Sequence, residues 1–287
     1  MILPVLLAAG GGRKKVLYQS YVHGYDPNEA RRLQDQASTL VELLHADTMY
    51  PAGHTVLEAG CGVGAQTLTL ARQSPQTQFI SLDVSSASVA AARRAVQDAG
   101  LANVQVMEAD IMQLPFVAAT FDHVFVCFVL EHLAKPVLAL KALKQVLKTG
   151  GTITVIEGDH GSAYFYPESE WARRAIQCQV ELQARAGGNA MIGRALYPLL
   201  RQADFCEVHV SPRLVYADAS RPALVEGFTR KTFTAMIAGV REAAIGQGLA
   251  TPEAFDRGLA DLLRTTAADG VFCYTFFKAM GVKPPGA

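Results

Sequence analysis

The segment Val56-Leu-Glu-Ala-Gly-Cys-Gly-Val-Gly64 constrains this chain more than any other. Three glycines, Gly60, Gly62 and Gly64, follow a short apolar run and precede an amphipathic one. Glycine enters the left-handed backbone region at little cost, and its missing side chain lets a ligand touch the main chain. A strand feeding such a turn, and the turn feeding a helix, sets unpaired helix N–H groups beside that ligand.

The surrounding pattern repeats this unit. Predicted strands are Thr55–Ala59, Gln78–Asp83, Val104–Met107, Phe121–Cys127 and Thr152–Glu157. Predicted helices between them are Ala65–Gln73, Ser86–Asp98 with Gly100 as a stop, and Pro136–Lys148 closed by Gly150-Gly151. Such alternation implies an α/β fold with a mostly parallel sheet covered by helices on both faces. Upstream, Asp26-Pro-Asn-Glu29 reads as a helix start, and Leu33, Ala37, Leu40 and Leu44 give residues 27–45 one apolar face. Downstream, residues 167–186 and 192–203 read as helices and Cys206–Val210 as a sixth strand. Residues 222–268 are mainly helical with breaks near Gly246 and Pro252, and Val271–Lys278 is a last strand.

Composition narrows the function classes. Half of the 287 residues are apolar, which excludes a disordered chain. The 26 basic residues balance 26 acidic ones, which argues against a nucleic-acid partner needing a large basic face. No run reaches about 18 apolar residues, so no membrane span is expected. Met1–Ala9 is apolar, but its basic residues Arg13, Lys14 and Lys15 follow it, the reverse of a secretory signal. The five cysteines contain no CxxC pair, and the histidines are scattered, so reduced thiols, no zinc site and a cytoplasmic location are expected.

Two acids complete the pattern. Asp83 ends the second strand, and Asp110 follows the third. With Glu58 they should line one crevice at the carboxyl ends of the strands, where open α/β sheets bind ligands and an acid can hold a ribose diol.

With these residues in place, the chain resembles a class I S-adenosylmethionine-dependent methyltransferase of the small-molecule type. The resemblance rests on the Glu-x-Gly-x-Gly-x-Gly run at 58–64, Asp83, Ala109-Asp110-Ile111, and Leu114-Pro115-Phe116 through Phe121-Asp122. Leu147-Lys-Thr-Gly-Gly151 also matches, with Thr149 where the family usually has proline. It is strong over about residues 50–160. It implies a Rossmann-like seven-stranded, mostly parallel sheet flanked by helices, with an α-helical cap. The implied organisation is a flexible leader at 1–20, a lid helix at 21–50, a cofactor-binding core at 51–160, and the last strands with the cap at 161–287.

The resemblance also implies roles. Gly60, Cys61 and Gly62 would pack against the methionine part of S-adenosyl-L-methionine, with Glu58 near its amino group. Asp83 would bind the ribose, Val84 would flank the adenine, Asp110 would accept from its amino group, and Ile111 would cover the ring. Cys127 and Phe128 would border the methionine end. Tyr21 and Tyr25 would close over the site, and Gln36 would reach the cofactor. The product would be S-adenosyl-L-homocysteine.

Methyl transfer expels a neutral thioether, so the protein needs chiefly to orient the nucleophile and exclude water. A base is required only where the nucleophile must lose a proton. His132 is one candidate, the other reading being that Leu130-Glu-His-Leu133 starts a helix beneath the cofactor. His160, in Glu157-Gly-Asp-His160, is a second, against an ordinary hydrogen-bonded loop; Tyr21 is a third. Arg194 and Arg213 are candidates for an anionic acceptor or for structural ion pairs. A small-molecule substrate is expected; a monomer and a homodimer stay equally open. No Asn/Asp-Pro-Pro-Tyr/Phe motif follows the fourth strand, where Cys127-Phe-Val-Leu130 stands. Two other functions remain open here: a nicotinamide-dependent oxidoreductase, because Gly60, Gly62 and Ala65 with Asp83 also satisfy a dinucleotide pattern, and a non-catalytic cofactor-binding regulator. The absence of Lys or Arg between Thr55 and Ala71 favours a cationic ligand over a pyrophosphate.

Overall fold

The computed structural model describes the backbone of residues 27–286 and, within the first helix, the side chains of Arg32 and of Gln36 onward. The expectations for Tyr21, Tyr25, the leader and the Asp26–Glu29 capping box lie outside the described residues.

The first half follows the predicted alternation. It contains α1 (Pro27–His45), β1 (Thr55–Ala59), α2 (Ala65–Gln73), β2 (Gln78–Asp83), α3 (Ser86–Asp98), β3 (Val104–Glu108) and β4 (Phe121–Cys127). Helix α4 (Pro136–Val146) precedes a long β5 (Leu147–Tyr166). Then come α5 (Glu170–Arg185), a 3-10 turn at Ile192–Ala195, α6 (Leu196–Gln202) and β6 (Cys206–Ala217). The second helical region holds α7 (Pro222–Leu224), a π-helical segment Val225–Thr234, α8 (Ala235–Gly239), α9 (Arg241–Gly246) and α10 (Pro252–Arg264). Strand β7 (Val271–Val282) closes the fold.

The seven strands form one sheet in the order β3-β2-β1-β4-β5-β7-β6. Strands β1 to β5 pair in parallel, and β7 runs antiparallel between β5 and β6. The strand order reverses between β1 and β4, which opens a crevice beyond their carboxyl ends. Both faces are buried. Leu40, Leu44, Leu70, Val89, Phe79 and Phe125 form the core beneath α1, α2 and α3. Leu57, Ile80, Val124, Leu140, Leu143 and Leu196 form the other core beneath α4 and α6. This two-sided burial is why the strands read as continuous apolar runs.

The bounds of four elements differ notably from expectation. Helix α4 stops at Val146, not Lys148, because Leu147 turns extended and pairs with Phe121. The fifth strand does not end at Glu157: antiparallel partners on β7, from Thr152↔Val282 to Tyr166↔Val271, carry it on through a bulge between Asp159 and Tyr164. The same ladder lengthens the sixth and seventh strands beyond Val210 and Lys278.

Helix α1 is fastened at its carboxyl end. Lys278 is buried, and its Nζ donates to Leu44 O (3.3 Å), Asp47 Oδ1 (2.6 Å) and Thr48 Oγ1 (2.6 Å). His45 Nε2 meets Gln66 Oε1 at 2.6 Å, tying the same end to α2. Anchored there, α1 runs along the π-helical segment, beside the crevice.

Candidate functional site

The turn after β1 is built from left-handed glycines. Gly60, Gly62 and Gly64 have φ of 84°, 52° and 86°. Their surroundings differ. A side chain on Gly60 would collide with Val129, whereas one on Gly62 would meet no atom of the described residues within 4 Å. The left-handed backbone accounts for glycine at Gly62, and its side-chain side is open among the described residues. The turn is tied to the next strand, since Gly60 N–H and Cys61 N–H both donate to Leu82 O at 2.8 Å.

Asp83 faces this turn. Its Oδ2 accepts from Gly62 N–H and its Oδ1 from Ser85 N–H, each at 2.9 Å. Burial raises its carboxyl pKa, and these backbone donors oppose the rise. Glu58 lies deeper, 2% exposed, with Oε2 accepting from Thr67 Oγ1 and Ser81 Oγ at 2.6 Å each. Burial likewise raises its pKa. Both acids are thus held in a low-dielectric setting where an arriving cation would be strongly favoured.

Val84 stands at the rim, 38% exposed, while Ile111 is buried. Asp110 accepts from Met112 N–H at 2.7 Å through Oδ1 and ends in the tight 110–113 bridge. Sheet register sets Asp83 beside Glu108, so β2 and β3 end together and bring Val84 and Asp110 to one rim. Cys61 and Cys127 are buried thiols whose pKa burial raises. All five cysteines are free.

Beyond β4 the chain turns sharply, with Phe128 at φ 57°. The turn is latched by Glu157, whose Oε1 accepts from Val129 N–H (3.0 Å) and Leu130 N–H (2.7 Å). Glu157 is fully buried and its Oε2 has no partner among the described residues. Burial, then the neighbouring Glu131, push its pKa well up, and the backbone N–H donors of the turn oppose the rise. Leu130–His132 forms a 3-10 turn. His132 is partly exposed, with Nε2 3.5 Å from Glu131 Oε1. Glu131 also accepts from Gln183 Nε2 through its carbonyl (3.0 Å) and carboxylate (3.2 Å), joining the turn to α5.

Residues after β4, on β7 and on the π-helical segment form an aromatic wall. Phe128 packs on Phe276 (5.4 Å between centroids), Phe276 on Tyr274 (4.8 Å), and Phe233 on Tyr274 (5.4 Å). His160 lies within β5 rather than in a loop and joins this wall, with Nδ1 2.7 Å from Tyr274 Oη and its ring 6.0 Å from Phe233. Gln36 is buried on α1, where Arg32 Nη1 donates to its Oε1 at 3.0 Å.

Thus the structure brings together Gly60, Cys61, Gly62, Glu58 and Asp83 around one turn, and gathers His160 with residues after β4. Arg194 and Arg213 are structural: Arg194 Nε donates to buried Asp159 Oδ2 at 2.6 Å, and Arg213 pairs with Asp47. Sequence reasoning missed Tyr274 and the latch role of Glu157. The one signal for Tyr274 is a hydroxyl inside the apolar run Val271–Phe277, which demands a buried partner.

Comparison with known proteins agrees with this architecture. Residues 56–151 match the model of a methyltransferase domain. Over 229 residues the chain is 32% identical to an uncharacterized 37.1 kDa protein in transposon TN4556 of Streptomyces fradiae, covering 77% of this chain and 65% of that one. The chain spans less than two thirds of that relative and about half of other curated relatives it matches. A Haemonchus contortus phosphoethanolamine N-methyltransferase 2, solved with phosphomonomethylethanolamine and S-adenosylhomocysteine, has a TM-score of 0.56 at 17% identity, covering 87% of this chain and 53% of that chain. The [4+2]-cyclase SpnF has a TM-score of 0.50 at 20% identity, covering 94% of this chain and 87% of that one. Likeness at these identities shows a shared fold.

Proposed function

We propose that this chain, which matches a methyltransferase domain over residues 56–151 and has a Rossmann-like sheet, moves the methyl group of S-adenosyl-L-methionine to a small-molecule acceptor and releases S-adenosyl-L-homocysteine. The observation that carries the reading is the open side of Gly62. That left-handed residue, next to Asp83 and at the switch point of the sheet, faces space that a ligand would fill.

The residues suit this donor. It would supply an electrophilic methyl carbon on a sulfonium. Backbone at Gly60–Gly62 would receive its methionine end, with Cys127 and Phe128 on the opposite bank. The buried Glu58 carboxyl would attract its ammonium, and that charge would draw the raised pKa of Glu58 back down. Asp83 would take the ribose diol in place of its present backbone donors. Val84 and Asp110, at the shared rim, would meet the adenine, with Ile111 beneath it. No Lys or Arg lies between Thr55 and Ala71, which suits a cation better than a pyrophosphate.

For a protic acceptor, His132 is the candidate base. It is partly exposed, and the Glu131 carboxylate at 3.5 Å would stabilise the imidazolium. The aromatic wall from Phe128 to Phe233 would keep water from the acceptor and suits an apolar molecule. Among the described residues no helix is long and apolar enough to cross a membrane, and no cluster of metal ligands occurs.

Isothermal calorimetry with S-adenosylhomocysteine and with NAD tests the reading. Binding of the first and not the second is expected. Binding of NAD alone would replace it with a nicotinamide-dependent reaction.

A further inference from the structure

His160 was a candidate base, yet its hydrogen bonding points elsewhere. The ring is buried (7% exposed) and so is the Tyr274 hydroxyl (2% exposed). They meet through Nδ1 and Oη at 2.7 Å. Two proton arrangements fit that distance. If Nδ1–H donates to the phenol, the phenolic O–H is left buried without an acceptor and Nε2 is left as a bare lone pair. If the phenol donates to Nδ1, only Nε2 remains, now as N–H. Nε2 has no partner among the described residues, and no other acceptor for the Tyr274 hydroxyl is found among them. One orphaned buried group is cheaper than two, so the phenol donates and the imidazole is locked as the Nε2–H tautomer.

A neutral ring locked this way cannot take a proton at Nε2. It can only give a hydrogen bond there. Its surroundings keep it neutral: burial dominates, Arg32 and His132 also oppose a charge, and Glu131 and Asp159 favour one without reversing the balance. Phe233 lies against the imidazole, and Phe228, Phe233 and Phe276 surround the Tyr274 ring. On the π-helical segment, Thr229 Oγ1 is buried without a partner among the described residues, and π-helical turns gather at functional sites.

We infer that His160, fixed by Tyr274, is the hydrogen-bond donor that grips an uncharged carbonyl oxygen on an apolar acceptor molecule, and is not the base of the reaction. This deepens the methyltransferase reading and rests on it for the word acceptor. The tautomer itself stands independently.

Two measurements test it on the full-length protein. The first is nitrogen-15 NMR of ring-labelled histidines, with the His160 signals assigned by their loss in His160→Phe. Between pH 6 and 8, Nε2 should carry the proton and Nδ1 should not. In Tyr274→Phe the Nδ1 signal should move, because its donor is gone. A protonated Nδ1 in the unmodified protein would overturn the inference. The second compares 1-indanone with indane, which lacks the carbonyl, by ligand-observed NMR titration. The ketone should bind about tenfold more tightly, and His160→Phe should abolish that preference. Equal affinities, no binding of either compound, or a preference kept in His160→Phe would overturn the carbonyl class. S-adenosylhomocysteine binding is read in parallel on the unmodified protein. Its failure would refute the methyl-donor reading while leaving the tautomer result standing.

Discussion

Replacing Gly62 with alanine separates what the fold needs from what a ligand needs. The new methyl would meet no atom of the described residues within 4 Å, so its folding cost there is confined to the backbone, held at φ 52°. A left-handed alanine costs about 1–2 kcal/mol. For a chain of this size each kcal/mol lowers Tm by about 2–4 °C, so a fall of about 2–8 °C is expected. Gly53 is the internal control. It too is left-handed, at φ 78°, and open on its side-chain side, but it sits before β1, at the end of the strand away from the turn. Gly53→Ala should lose a similar amount of stability and keep full affinity for S-adenosylhomocysteine. Gly62→Ala should lose at least about tenfold in affinity, or about 1.4 kcal/mol, because its methyl takes space assigned to the ligand. Differential scanning fluorimetry reads the first quantity and calorimetry the second. Equal affinity in the two variants would refute the argument from the open side of Gly62.

Further perturbations follow from the same geometry. Asp83→Ala removes the proposed ribose partner and the acceptor of Gly62 N–H, so S-adenosylhomocysteine affinity should fall at least about tenfold by calorimetry; an unchanged value would remove that role. Lys278→Met breaks three hydrogen bonds at the carboxyl end of α1 and should cost about 1–3 kcal/mol in urea denaturation, a loss moderated because Asp47 is half exposed and retains Arg213. A change below about 0.3 kcal/mol would show that α1 is held by packing alone. His45 is buried, and burial holds its pKa down at about 4 against 6.5 for a free imidazole. The unfolded chain therefore binds this proton first, and stability should drain away as pH falls from about 6.5 to 4, by about 3 kcal/mol at most. His45→Gln should flatten that part of the urea midpoint profile measured at pH 7, 5.5 and 4.5; an unaltered slope would contradict it.

The repeating strand–turn–helix half was legible because each element buries one face against a sheet covered on both sides. Thr55–Ala59, Gln78–Asp83 and Phe121–Cys127 each coincide with a strand. The second half was harder because long-range pairing overrides local pattern. Residues 158–166 contain Gly158, Asp159, His160 and Gly161, which read locally as a loop, yet β7 supplies partners that keep most of this stretch extended. Lys148 looks helical in isolation, but Leu147 pairs with Phe121, and Gly150 N–H donates to Lys283 O and Lys283 N–H to Gly151 O, which continues the β5–β7 pairing past its last ladder residues. Nothing local marks Val225–Thr234 as π-helical. In the site, the turn glycines and strand-end acids were visible because their spacing is set by the chain itself. The His160–Tyr274 pair was not, since its members are 114 residues apart and meet only through the β5–β7 ladder.

The most direct test of the account is a crystal structure of the full chain grown with S-adenosylhomocysteine. The account predicts the homocysteine moiety against the open side of Gly62, the ribose hydroxyls on Asp83, and the adenine between Val84 and Ile111. A well-ordered ligand bound elsewhere, or density at the turn with Asp83 still closed on Gly62 N–H and its diol site empty, would contradict it.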